Sequence, residues 1–188
     1  MQFRAAPLSD GPPSDERVMA DVRRGDGAAL ALIVRRHQAS LQAVFRSLGL
    51  DRHGAEDCVQ DTFVRLLRAA PDYEPRAPFR AFLLRLARNA LVDWRRRRDD
   101  GVQFADPGDL AHHRERPAAY PAGDLMDLHE ALGGLSEKLR AVVQLSIFDG
   151  LSYAEIALLL GIPVGTVKSR MFLAIRQLRE ALDRDAVA

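Results

Sequence analysis

Cysteine is nearly missing from this chain: Cys58 is the only one in 188 residues. That excludes an internal disulfide and any zinc site built on thiolates. A reducing cytoplasm is the natural setting for such usage. No apolar run approaches the ~20 residues that a membrane-crossing helix needs, so membrane insertion is not expected. Residues 1–14 lack the apolar segment of a secretory signal, and "DGPPSD" reads as a flexible lead-in. Strand-type alternation is absent, which argues against a β fold. A strong net charge is absent too, with 27 Lys and Arg against 26 Asp and Glu. A surface for a polyanion must therefore come from charge segregated to one face. Also missing are a nucleophile–base pair, a phosphate-binding glycine loop and a carboxylate dyad, so no enzyme activity is expected.

What the chain does have is helical periodicity. It predicts helices over about 15–24, from "AALALIV" to Gly49, over "GAEDCVQDTFVRLLRAAP", and over "FRAFLLRLARNALVDWRRRR". In the last of these, Phe79, Phe82, Leu83, Leu86, Ala90 and Trp94 share one face at about 100° per residue. Arg85, Arg88, Arg95 and Arg96 lie on the other. From Asp99 to Asp124 the pattern fails in a Pro-, Gly- and Asp-rich stretch that reads as a linker. Periodicity resumes over about 125–133, 137–148, 153–160 and 164–184. The expected fold is all-α: a flexible N-terminus (1–14), a helical domain (15–98), a flexible linker (99–124) and a second helical domain (125–184).

"LSYAEIALLLGIPVGTVKSRMFLAIRQLREAL" is tightly punctuated. Ser152 and Glu155 form a capping box. Gly161 can take the left-handed conformation that ends a helix, and Pro163 suits the start of the next. Two helices joined this closely cross steeply, as in a helix-turn-helix whose second helix enters the DNA major groove. Val167, Met171, Ala174, Ile175, Leu178 and Leu182 form the buried stripe of that helix. Thr166, Lys168, Ser169, Arg170 and Arg176 lie at its margins or opposite. Arg can read guanine bidentately, and Ser or Thr can reach base edges or phosphate.

At this point the residues acquire a family. "GLSYAEIALLLGIPVGTVKSR" closely resembles the promoter-reading domain of extracytoplasmic-function (ECF) sigma factors, short members of the sigma-70 family. "AEDCVQDTFVRLLR" and "FRAFLLRLARNALVDWRRRR" look like the same family's polymerase-binding and melting-region helices. The resemblance implies binding to core RNA polymerase and promoter DNA, no catalysis and no cofactor, and an anti-sigma factor as inhibitor. It assigns the −35 duplex to Thr166, Lys168, Ser169 and Arg170, with Arg176 on phosphate. It assigns the separated −10 strand to Tyr73 and Arg76 on the "PDYEPRAPF" loop and to Arg85, Arg88 and Asn89 on the helix after it. A melted strand needs stacking surfaces, base capture and cations for its backbone. Asp57, Gln60 and Asp61 become the polar contacts to polymerase, with Phe63 and Val59 as core.

Some positions depart from the family pattern. Further cations often follow "KSR", but here Met171, Phe172, Leu173 and Ile175 do; Phe172 and Leu173 fall opposite the buried stripe. Ser136 stands where proline is common and is itself a reasonable N-cap. His112, His113, Glu115 and His129 match no closed ligand set, so no metal site is expected. Acidic neighbours would raise the Cys58 pKa, which argues against a redox thiol. The competing reading is a helix-turn-helix regulator that acts without polymerase. It leaves the acidic third and basic fourth helices unexplained.

Overall fold

Side-chain oxygens start each of the first three helices. In α1 (Asp15–Arg23), Ser14 accepts from the Arg17 N–H. In α2 (Gly27–Ser47), Asp26 accepts from Ala28 and Ala29. In α3 (Arg52–Ala69), Asp51 accepts from the Gly54 N–H at 2.7 Å. Each satisfies a donor that the helix itself cannot. The start of α4 (Phe79–Arg98) is served from a distance: its Phe79 N–H donates to Glu16 Oε1 of α1 at 3.0 Å. That bond, ahead of smaller contributions, lowers the Glu16 pKa. A short 3₁₀ turn at Ala70–Asp72, with Pro71 at its head, separates α3 from the loop before α4.

The structure, a computed structural model, describes residues 12–98 and 131–185, with side chains through residue 182. The expected linker 99–124 lies outside the described residues, as do His112, His113, Glu115 and His129. The C-terminal half contains α5 (Glu137–Val143), a π-helical turn (Gln144–Phe148), α6 (Tyr153–Leu160) and α7 (Val164–Asp185). No strand occurs among the described residues, and no single helix is long and apolar enough to cross a membrane. The periodic pattern over 137–148 is thus two segments, α-helical and then π-helical. Ser136 stands at the N-cap position of α5, but its side chain makes no capping bond.

Phe45, Phe79, Met19, Ile33 and Leu66 are fully buried in the N-terminal half, and Leu145, Ile156, Leu159 and Val167 in the C-terminal half. Each such side chain contributes roughly 1.5–3 kcal/mol relative to exposure. The buried residues of both halves form one continuous cluster, and α4 packs directly against α6. Two neighbours explain a correction to the single apolar stripe expected of α4. Leu84, Ala87 and Leu91 are buried as well as Phe79, Leu83 and Ala90, while Phe82, Leu86 and Trp94 are only half-buried. In α7 the stripe is narrower than expected: Ile175 is exposed and Leu182 borders on it. Leu173, expected to face away, is half-buried against the core instead.

Candidate functional site

The turn between α6 and α7 has the predicted chemistry. The Ser152 hydroxyl accepts from the Glu155 N–H, and the Glu155 carboxylate accepts from the Ser152 N–H at 2.8 Å. Gly161 caps α6 at φ +69°, ψ 33°, the left-handed region that glycine enters without a Cβ clash. Past Pro163 the chain turns by 108° into α7. Val167, Met171 and Ala174 anchor α7 in the core. That fixes which side of its first turns faces outward. Lys168 and Ser169 are exposed, and Thr166 and Arg170 half-exposed. The Ser169 hydroxyl donates to the Thr166 carbonyl at 3.1 Å. Arg176 is exposed and sits 3.7 Å from Glu180, a pair too loose and too wet to hold it. Lys168, Ser169 and Arg176 therefore face outward on one helix and Thr166 and Arg170 flank its buried stripe, with Phe172 exposed at 71%.

The N-terminal half carries two further surfaces. On α3, Asp57 and Gln60 are exposed and Asp61 half-exposed. They line one shallow groove with Val64 of the same helix and Trp94, Arg97 and Arg98 of α4. Asp61 is held by Arg65 at 2.9 Å, and Arg65 reaches Asp93 of α4 at 2.7 Å. Arg98 lies over the Trp94 ring, 5.0 Å from its centroid. The sequence reading missed the apolar part of this face. Val64 and Leu67 are exposed; Val64 falls one helical turn from Asp61 and Leu67 one turn beyond Val64, a spacing that would have found them. Trp94 packs so close to α3 that a Cβ on Gly54 would stand 2.5 Å from Cζ2 of its indole, and 2.9 Å from Asp51 Oδ1.

The second surface is the loop before α4 and the outer side of that helix. Arg76 is exposed and pairs with Glu74 at 2.5 Å. Arg85 and Asn89 are exposed along α4, one turn apart. Tyr73 departs from expectation. It is only 5% exposed, packed tilted against Phe82 at 5.0 Å and edge-on to Phe79 at 6.2 Å. Burial, then the charges of Glu16 and Asp15, push its pKa up. Its carbonyl accepts from Arg23 at 3.1 Å. The ring thus props the loop from beneath; it is not the open stacking surface the sequence suggested. Arg88 departs too. It is half-buried, and its guanidinium fills the space that a Cβ on Gly161 would need, with Nε 2.7 Å from that position.

Cys58 is buried, and burial, followed by the charges of Asp61 and Asp57, pushes its thiol up to about 12. Such a thiol is a poor nucleophile at neutral pH. No group of three or more His, Cys, Asp or Glu among the described residues could hold a metal ion.

Two family profiles match the chain. The profile of Sigma-70 region 2 matches residues 33–100, which include α3 and α4. The profile of Sigma-70 region 4 matches residues 125–178, which include the α6–α7 turn. The chain is 35% identical to the ECF RNA polymerase sigma factor SigE of Mycolicibacterium smegmatis, over 90% of this chain and 70% of that protein. It is 32% identical to the RNA polymerase sigma factor CnrH of Cupriavidus metallidurans, over 93% of this chain and 98% of that protein. Among solved structures, CnrH in complex with the cytosolic domain of CnrY superposes with a TM-score of 0.61 at 29% identity, covering 92% of this chain and 99% of that one. The sigma factor RpoE in complex with the anti-sigma factor NepR from Bartonella quintana superposes with a TM-score of 0.56 at 31% identity, covering 81% and 96%.

Proposed function

The chain belongs to the extracytoplasmic-function group of sigma-70 RNA polymerase sigma factors, and from that premise we propose how its residues divide the work. It is an alternative sigma factor of transcription initiation. Residues 15–98 form the unit that holds core polymerase and the separated −10 strand, and residues 125–184 the unit that reads the −35 duplex.

The observation that carries this division is the polar start of α7. Thr166, Lys168, Ser169 and Arg170 occupy the first turns of a helix aimed by a 108° corner. Donors and cations at a helix start suit base edges and phosphates in the major groove. Arg176, one to two turns on, takes a phosphate. Arg76, Arg85, Arg88 and Asn89 supply cations and a base-edge amide for the unpaired strand, with Tyr73 shaping the loop from below. Asp57, Gln60 and Asp61 meet polymerase, joined by the exposed Val64 and Leu67.

The protein acts by binding and not by catalysis, and it works in the cytoplasm, where polymerase and chromosome are. Two structural relatives are seen bound to CnrY and to the anti-sigma factor NepR. By analogy, a protein inhibitor of that kind holds this chain too. Runoff transcription with core polymerase on genomic fragments tests the reading. Transcripts that begin at a shared two-part motif are expected. DNA binding without polymerase capture, and with no change of start sites, would leave a polymerase-independent regulator instead.

A further inference from the structure

Helix α1 precedes the span matched by the region 2 profile, which begins at residue 33. Two of its side chains nonetheless reach the loop before α4. Arg23 donates to the Tyr73 carbonyl at 3.1 Å, where that loop begins. Glu16 accepts from the Phe79 N–H at 3.0 Å, where it ends. The two anchors stand about two helical turns apart on one face of α1, roughly 10 Å along its axis. Helix α1 is itself fixed. Arg36 of α2 donates to the Pro13 carbonyl at 2.8 Å and to Asp15 Oδ1 at 2.7 Å. His37 of the same helix stands 2.8 Å from Asp15 Oδ2, and Val18, Met19 and Val22 are buried. Between the anchors, residues 74–78 are all exposed. Pro75 and Pro78 stiffen that stretch. Within it the Arg76 N–H donates to the Glu74 carbonyl at 2.8 Å.

We infer that α1 is a bracket for the loop that takes the separated −10 strand, with Glu16 and Arg23 as the positioning residues that set where Arg76 stands. The inference rests on the proposed assignment of Arg76 to that strand. Both bonds go to main-chain atoms, so they hold the ends of the loop whatever its side chains do. A loop held in place before a base arrives binds better than one that must be ordered on contact. The Phe79 N–H is also one of the first donors of α4, which that helix cannot satisfy itself. Glu16 therefore ties the loop to the helix that carries Arg85 and Asn89. Loop and helix then present their cations and amide to the strand from one common reference. The bond to Phe79, ahead of smaller contributions, lowers the Glu16 pKa, so the acceptor stays ionised at neutral pH. The polymerase face lies on α3 and the duplex reader on α7, so neither hangs on these two bonds.

The test is runoff transcription by holoenzymes of full-length variants, on a promoter found by the genomic screen and on copies with single −10 base changes. In the Glu16→Ala/Arg23→Ala double variant, runoff from the native promoter should fall about tenfold, roughly what two hydrogen bonds of ordinary net strength supply. Its preference for the native −10 bases should flatten as well. Affinity for core polymerase and for the −35 duplex should stay within about twofold of wild type, because those surfaces are remote. Equal losses in all three measurements give α1 a merely structural role and overturn the inference, as does an unchanged −10 preference. Arg23→Ala alone alters an exposed side chain, so it keeps the test open should the double variant not fold, and it should show the same flattening in smaller measure. Glu16→Gln retains an acceptor for the Phe79 N–H and should recover the preference that Glu16→Ala loses; equal impairment of the two counts against the bracket. Hydrogen exchange at the Phe79 amide reads the bracket without DNA. It should quicken about tenfold in Glu16→Ala, and an unchanged rate removes the bracket. Arg76→Ala with wild-type −10 preference would instead sink the assignment of the loop to the strand, and the positioning role with it, while the exchange rate still reports on the bracket.

Discussion

Arg65 on α3 donates to Asp93 on α4 across 2.7 Å, and the same guanidinium nitrogen stands 2.9 Å from Asp61 on its own helix. All three side chains are about a quarter exposed, so the network is neither buried nor fully wet. Arg97 approaches Asp61 from α4 at 3.9 Å. The acidic surface proposed for polymerase is thus tied to the basic end of the next helix. Segregated charge of both signs explains how a chain with formal net charge +1 can offer one face to a protein and another to DNA.

That network separates two substitutions that look alike in sequence. Asp57→Arg changes an exposed residue outside it. Core polymerase binding should weaken about tenfold, a loss of ~1.4 kcal/mol, with the melting temperature unchanged. Asp61→Arg should abolish binding and also lower stability by ~1 kcal/mol, since it sets Arg65 and Arg97 against a third cation. Fluorescence titration with core polymerase, beside calorimetry of each variant, distinguishes the two.

On α7, Arg170→Ala and Lys168→Ala should differ in kind. Losing Arg170 is expected to cost about 1–3 kcal/mol of affinity for the preferred duplex and to relax preference at its base pair. Losing Lys168 should weaken all sequences alike and reduce the salt slope of binding by about one. Duplex-binding titrations from low to moderate salt, on preferred and scrambled sequences, read both effects.

Asp149 gives the chain a pH dependence. Burial raises its pKa above the usual 3.8, and the Ser47 bond only partly offsets that. One carboxylate oxygen is buried without a hydrogen-bond partner. A raised value means that the folded state favours the proton. Its stabilising contribution is therefore full below the usual value and is lost as pH rises through the raised one. Asp149→Asn keeps the shape and removes the charge. Its melting temperature should exceed that of the wild type at pH 7, and the difference should shrink toward pH 4. A variant less stable than wild type at pH 7 would contradict this.

Cys58 should resist thiol reagents in the native protein at pH 8 and react at once after unfolding in guanidinium. A thiol pushed up to about 12 is almost wholly protonated, and its side chain is 1% exposed. Fast native labelling, followed by absorbance of the released chromophore, would show that the α3–α4 packing opens readily.

The corner at Gly161 was legible because each of its signals is local. A cap, a left-handed glycine and a helix-starting proline act within a few residues of chain. The ends of α2, α3, α6 and α7 were readable for the same reason. What stayed hidden depends on residues far apart in sequence. Periodicity assigns one apolar stripe per helix, so it missed that α4 is covered from two sides. Tyr73 looked like an exposed loop aromatic because nothing local says that Phe79 and Phe82 close over it. The Asp61 network and the Arg80–Glu155 pair likewise join separate helices, and composition cannot announce them.

The π turn at Gln144–Phe148 carries one residue more than regular α spacing would hold. Ile147 and Phe148 are displaced into solvent there, at 63% and 59% exposure. Shortening the segment by one residue would restore uniform winding and swing everything beyond it by about 100° around the helix axis. The spare residue is therefore an angular shim: it sets the bearing at which Asp149 arrives beside Ser47.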